Sequence, residues 1–167
     1  MLLTYNKTGK ATIVVLNDLI KINNDRMGCY QQAIDQMKNL DIDLKDLFEE
    51  IISEGLKFKQ ELIDAIKRKE GNPKDIATIS GMIHRAWVDL KVTFTGNTRY
   101  AIINFCEYNE QVAQHAYKAA LDVIGSKDKE TYIMIKKQQE GLTASQAMIK
   151  KCHGARSYFN PQLVYFS

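Results

Sequence analysis

The stretch Tyr100–Ile124, YAIINFCEYNEQVAQHAYKAALDVI, decides how the chain is read. Ile103, Cys106, Ala113, Tyr117, Ala120 and Ile124 recur in steps of three and four residues, with Glu110 in the same series. That spacing keeps one face of a helix against its neighbours. The stretch therefore reads as a single long amphipathic helix with a carboxylate in the middle of its seam. Glu107 lies one turn before Glu110, which allows two acidic groups to converge on one spot.

Three more seams of the same kind surround it. A first helix, from about Lys10 to Lys38, carries Leu16, Ile20, Asn23, Met27, Tyr30, Ile34 and Met37. A second, from about Leu44 to Lys69 with Asp43 as its cap, carries Leu44, Phe48, Ile51, Gly55, Phe58, Leu62 and Ala65. The last, capped by Ser126 or Asp128 and running to Cys152, carries Ile135, Gln138, Leu142, Ser145, Ile149 and Cys152. Between the second and the long central helix, Gly71-Asn72-Pro73 ends one helix and starts another. This third helix reaches about Thr93 and presents Ile76, Ile79, Ile83, Trp87, Leu90 and Phe94. At about 30 Å it is long enough to carry the chain from one end of a bundle to the other. Thr98 then caps the central helix, which Gly125 ends. The expected fold is all-α: a ferritin-like antiparallel four-helix bundle with an additional crossover helix, the simpler alternative being five helices packed up and down. Residues 1–9, broken off by Gly9, read as an N-terminal arm, residues 10–152 as the bundle and residues 153–167 as an aromatic C-terminal tail that needs a surface to dock on.

Composition narrows the function classes. With 167 residues, 45% hydrophobic and 26% charged, the chain is one ordinary globular domain with room for a core. A formal net charge of +3 is too small to imply nucleic acid. No apolar run approaches a membrane span and the N-terminus lacks a signal-peptide pattern. Cys29, Cys106 and Cys152 form no CxxC pair and fall on or beside apolar faces, which points to free thiols in a reducing cytoplasm.

The chemistry is sparse. A carboxylate-bridged di-iron site in a helical bundle takes a Glu from each of two helices and Glu-x-x-His from each of the other two. No Glu-x-x-His occurs before His84, His115 or His153. The candidate metal ligands are Glu107, Glu110 and Glu54, oxygen donors suited to iron or manganese. The competing reading makes Glu110 a buried carboxylate satisfied by Tyr30, Asn23, Gln138 or Arg85, in which case Glu110→Gln leaves folding nearly intact. No nucleophile constellation or phosphate loop is present, so no catalytic residue is assigned.

LNDLIKINNDRMGCY (Leu16–Tyr30), IHRAWVDLK (Ile83–Lys91) followed by TGN, CEYNE (Cys106–Glu110) and KQQEGL (Lys137–Leu142) resemble a family of small bacterial ferritin-like four-helix-bundle proteins of unknown function. The resemblance spans most of residues 12–150. It implies a bundle related to rubrerythrins and ferritins without an assigned reaction. In that family's pattern a histidine is common where Ser145 stands, and an acidic residue where Gln31 stands; both departures remove metal ligands. The favoured function is a non-enzymatic, structural or stress-associated bundle that self-associates through its termini as a homo-oligomer, with no cofactor. The alternative is a degenerate metal-binding member holding iron or manganese.

Overall fold

Among the described residues, helix-forming runs separated by capping residues become five α-helices. A computed structural model of the chain describes residues 2–37, 41–73, 81–90 and 96–154. In order these form α1 (Leu2–Gln36), α2 (Ile42–Arg68), α3 (Met82–Leu90), α4 (Arg99–Ile124), a 3-10 turn at Gly125–Lys127, and α5 (Lys129–Gly154). The fold is all-α, and among the described residues no strand occurs. None of these helices is long and apolar enough to cross a membrane.

Local signals set several of the boundaries. Thr98 Oγ1 accepts a hydrogen bond from the Ala101 amide at 3.1 Å and so caps α4. Gly125, at φ +52°, ends it. Asp128 Oδ1 accepts from the Thr131 amide at 3.2 Å and caps α5. Other boundaries differ from expectation. α1 is not broken at Gly9 but begins at Leu2, so the helix runs through residues 2–9 of the expected arm. One glycine costs about 1 kcal/mol in helix propensity, which a long cooperative helix absorbs. Asp43 does not cap α2. The N-cap is Asp41, without a side-chain cap bond, and both carboxylates go to Arg99, at 3.0 Å from Asp41 and at 3.0 and 2.6 Å from Asp43. A guanidinium offers a stronger, charge-assisted bond than a helix amide does.

The crossover helix is described at Met82–Leu90, while residues 74–80 and 91–95, which hold much of its expected length, lie outside the described residues. Its start is capped from another helix. Asp18 of α1, only 1% exposed, accepts from the amides of Gly81 at 2.7 Å and His84 at 3.2 Å. Those amides lack partners within their own helix. A Cβ at position 81 would run into the Asp18 carboxylate, so glycine is required for this approach. Asp25, also on α1, accepts from the buried Trp87 indole at 3.0 Å and stands 3.4 Å from His84 Nε2. Two aspartates thus clamp α3 to α1, Asp18 through the amides at its start and Asp25 through Trp87 and His84.

α1 and α2 form one antiparallel hairpin and α4 and α5 a second. α1 lies against α4, α2 against α5, and α3 against α1 and α4. Arg99 at the start of α4 meets Asp41 and Asp43 at the start of α2. Arg68 and Lys69 at the end of α2 meet Glu130 and Asp128 at the start of α5. Hence α2 and α4 run in the same direction, which requires the crossover between them. α1 begins and α5 ends at opposite ends of the bundle. Beyond Gly154 the aromatic tail lies outside the described residues.

The α2 and α4 seams are buried at every expected position, and the α5 seam from Ile135 to Ile149. α1 differs: Leu16, Ile20, Asn23 and Tyr30 are buried, but Arg26 and Ala33 replace Met27 and Ile34. The apolar core is split. One cluster holds Leu16, Leu19, Leu62, Trp87 and Leu142; the other holds Phe48, Ile51, Ile103, Cys106 and Ile149. A polar layer lies between them. Cys29, Cys106 and Cys152 form no disulfide.

Candidate functional site

Polar side chains recur at heptad intervals: Asn23 and Tyr30 on α1, Glu110 and Tyr117 on α4, and Gln138 and Ser145 on α5 are buried in the bundle, while Glu54 and Glu61 of α2, half-buried and exposed, stand at its edge. Because the helices pack antiparallel, these positions meet as two cross-bundle rungs. In the neutral rung, Asn23 Nδ2 donates to Tyr117 Oη at 2.6 Å, and Tyr117 Oη donates to Gln138 Oε1 at 2.9 Å. Gln138 Nε2 then donates to the Phe58 carbonyl at 3.2 Å and to Glu61 Oε2 at 2.8 Å. All four long helices are tied by one chain of hydrogen bonds. In the charged rung, Arg26 Nε donates to Glu110 Oε1 at 2.5 Å and Arg26 Nη2 to Oε2 at 3.2 Å. Tyr30 Oη donates to the same Oε1 at 2.6 Å. Arg26 Nη2 also lies 3.8 Å from Glu54 Oε2, which accepts from Ser145 Oγ at 3.1 Å. This rung too crosses α4, α1, α2 and α5.

Arg26 is 1% exposed and Glu110 0%. Burial works against the charge on Arg26, yet the Glu110 carboxylate, helped by Tyr30 and Glu54, more than offsets it and holds the guanidinium above its usual range. Burial and then Glu110 push the Tyr30 phenol well above its ordinary value, and the same two causes raise the Cys106 thiol. Burial also raises Tyr117, with the Asn23 hydrogen bond acting in the opposite direction. Cys106 is therefore a buried thiol whose protonated form the surroundings favour. Two glycines make room beside the charged rung. A Cβ on Gly55 would lie 2.8 Å from Met27 Cγ and 3.8 Å from Arg26 Nη1, and one on Gly141 would lie 2.7 Å from Glu54 Oε1. Arg26 Nη1, Asn23 Oδ1 and Asn109 Oδ1 are buried without a hydrogen-bond partner.

The three carboxylates singled out from sequence have different fates. Glu110 and Glu54 are brought together, with Arg26 between them. Glu107 faces His153, at 3.0 Å from Nε2, and Lys150, at 3.7 Å. Of the partners expected for Glu110, Tyr30 is one; Asn23 and Gln138 serve Tyr117 instead, and Arg85 is exposed on α3. The residue that sequence reasoning missed is Arg26. Its signal was present: it lies three residues after Asn23 and four before Tyr30, in step with the seam. The neighbouring Met27 was the expected core residue because arginine is rarely fully buried unless paired.

A ferritin-like bundle implies a carboxylate-bridged metal pair at this level of the core. The residues present do not fit one. Both oxygens of Glu110 are engaged by Arg26, and the space between Glu54 and Glu110 is filled by a guanidinium. A divalent ion placed there would meet a buried positive charge. Among the described residues, no three His, Cys, Asp or Glu side chains are grouped so that they could hold an ion.

Comparison with known proteins agrees with this architecture. The family model described as Domain of unknown function (DUF2383) matches residues 11–123, and the chain belongs to that family. No curated protein matches it. Among solved structures it is similar to a dodecameric thioferritin, the bacterioferritin-related protein of Bacteroides fragilis. The two share 17% identity over 91% of this chain and 92% of that one, with a TM-score of 0.71. At that identity the likeness concerns the ferritin-like fold.

Proposed function

We propose that this member of the DUF2383 family is a non-enzymatic, self-associating bundle with a structural or stress-associated role in a reducing cytoplasm. The observation that carries this reading is the Arg26 guanidinium held between Glu110 and Glu54, because it neutralises internally the carboxylates that iron or manganese chemistry would use. The two rungs then act on architecture: buried polar groups that must find each other fix helix register. The alternative, an iron- or manganese-binding member using Glu107, Glu110 and Glu54, needs three carboxylates around one ion, whereas Glu107 is turned toward His153.

Self-association is supported by exposed apolar side chains at one end of the bundle, Ile42 at 65% and Tyr100 at 69% exposure. The dodecameric state of the structurally similar thioferritin points the same way. Light scattering of the full chain across a wide concentration range tests the assembly. We expect a particle several times the monomer mass, reduced by Ile42→Glu with Tyr100→Glu. A monomer at all concentrations would refute it. Metal analysis of protein purified without chelators tests the other half: stoichiometric iron or manganese that disappears in Glu110→Ala would overturn the reading.

A further inference from the structure

We infer that the cleft between the end of α2 and the start of α5 binds a small molecule bearing phosphate groups. The cleft has a volume of about 450 Å3, within the range of small-molecule sites, and α1, α2, the 3-10 turn and α5 all line it. Gly9 brings no side chain to it, and a Cβ there would meet nothing within 4 Å, so the space beside α1 is open. Buried Thr12, Ala65 and Thr131 form its floor. Charge decides the ligand. Four cations line the cleft, Arg68, Lys69, Lys127 and Lys129, against two carboxylates, Asp128 and Glu130. Lys69 is taken up by Asp128, which also caps α5, and Arg68 by Glu130 at 3.3 Å. Lys127 and Lys129 are exposed and have no ion-pair partner among the described residues, which leaves the cleft a surplus of positive charge. Concave walls concentrate such a field more than a flat surface does. The first amides of α5, at Lys129 and Glu130, have no acceptor within their own helix and add the positive end of its dipole. A phosphate group accepts from both kinds of donor, and the forked Arg68 guanidinium matches its oxygens. The Arg68–Glu130 pair is the part that gives way, because its side chains are 55% and 77% exposed. An incoming phosphate replaces Glu130 on Arg68, while the Lys69–Asp128 pair, at 24% and 17% exposure, stays in place as a wall.

The experiment is calorimetric titration of the full chain with pyrophosphate, repeated with inorganic phosphate at matched ionic strength. We expect one saturable site per chain for pyrophosphate, with inorganic phosphate competing for it and binding more weakly because it carries less charge. Lys127→Gln with Lys129→Gln should weaken pyrophosphate binding about tenfold, the size that two exposed charge pairs supply. Lys136→Gln with Lys137→Gln makes the same charge change on exposed residues of α5 outside the cleft and should alter binding less than about twofold. Glu130→Gln frees Arg68 and should tighten binding. Equal losses in the two double variants would show only the general field of a basic chain and overturn the inference. Weaker binding by Glu130→Gln, or no saturable binding by wild type, also overturns it. Sedimentation with phosphatidic acid vesicles in the absence of pyrophosphate binding would overturn it in favour of a lipid surface. Circular dichroism checks that each variant keeps its helical signal, and if the double variant in the cleft does not, Lys129→Gln alone carries the comparison.

Discussion

The neutral rung and the charged rung cross the same four helices about one heptad apart, yet they hold the bundle by different physics. In the neutral rung the buried groups Asn23, Tyr117 and Gln138 give up water for hydrogen bonds of ordinary strength, only the outer end at Glu61 staying exposed, and the loss of one member strands its immediate neighbours. In the charged rung two fully buried ions depend on each other, so removing either leaves an uncompensated charge in the core. The comparison teaches that a polar seam position is not one kind of constraint. The neutral rung tolerates partial damage; the charged rung is close to all or none.

The largest effect should come from breaking the charged rung on one side. Glu110→Leu is expected to cost about 3–5 kcal/mol, because Arg26 remains buried without its partner. Glu110→Gln, near neutral if the carboxylate merely accepted hydrogen bonds, becomes costly for the same reason. Replacing both ions, Arg26→Met with Glu110→Leu, should recover most of the loss. Urea unfolding of the three proteins measures this, and additive losses in the double variant would show that the two ions are not coupled.

The neutral rung should respond less. Tyr117→Phe removes an oxygen that accepts from Asn23 and donates to Gln138, at an expected cost of about 1–3 kcal/mol in the same unfolding assay. A loss equal to that of Glu110→Leu would erase the distinction between the rungs.

Titration sharpens it from another side. Each rung contains a tyrosine whose phenol is raised by burial above the ordinary value of 10.0. The unfolded chain therefore loses these protons first as pH rises. Their contribution is complete below about pH 10 and declines above it, by up to about 1.4 kcal/mol per pH unit for each tyrosine. Stability measured between pH 9 and 12 should fall less steeply in Tyr30→Phe and in Tyr117→Phe than in wild type. Equal slopes in all three would place neither phenol in the core.

The bundle ends provide the smallest effects. Hydrogen bonds from Arg99 hold the Asp43 carboxyl below its usual value of 3.8. At Asp128 burial opposes ionisation, but Lys69 and Thr131 prevail and lower it too. Their stabilisation is present above the usual carboxylate range and fades as pH falls through and below it. Asp43 is 57% exposed, so Asp43→Asn should cost no more than about 1 kcal/mol at pH 7, with the difference from wild type vanishing below about pH 3. A difference that persists at pH 2 would show that Asp43 acts through something other than its ion pair with Arg99.

How far the chain could be read from its residues differs between elements. The α2 and α4 seams were legible in full, because an amphipathic helix repeats its buried positions by local geometry alone. Thr98, Gly125 and Asp128 were legible as boundaries because caps act on amides within a few residues. Glu110 stood out as a carboxylate in an apolar series. Its chief partner did not, and neither did the turning of Glu107 toward His153 or the capping of α3 by Asp18.

The sequence by itself determined the all-helical class and the buried faces of α2 and α4, since these follow from spacing along one chain; the ion pairs at the bundle ends, which only the structure shows, decided for a crossover over an up-and-down packing. Only the tertiary structure decided which of Arg26 and Met27 enters the core. Neighbouring residues differ by about 100° around a helix, and α1 could turn either inward until it met α4. The choice is made by Glu110, far away in sequence: a buried carboxylate recruits whichever cation the packing of two distant helices brings within reach, and no local rule along the chain encodes that distance.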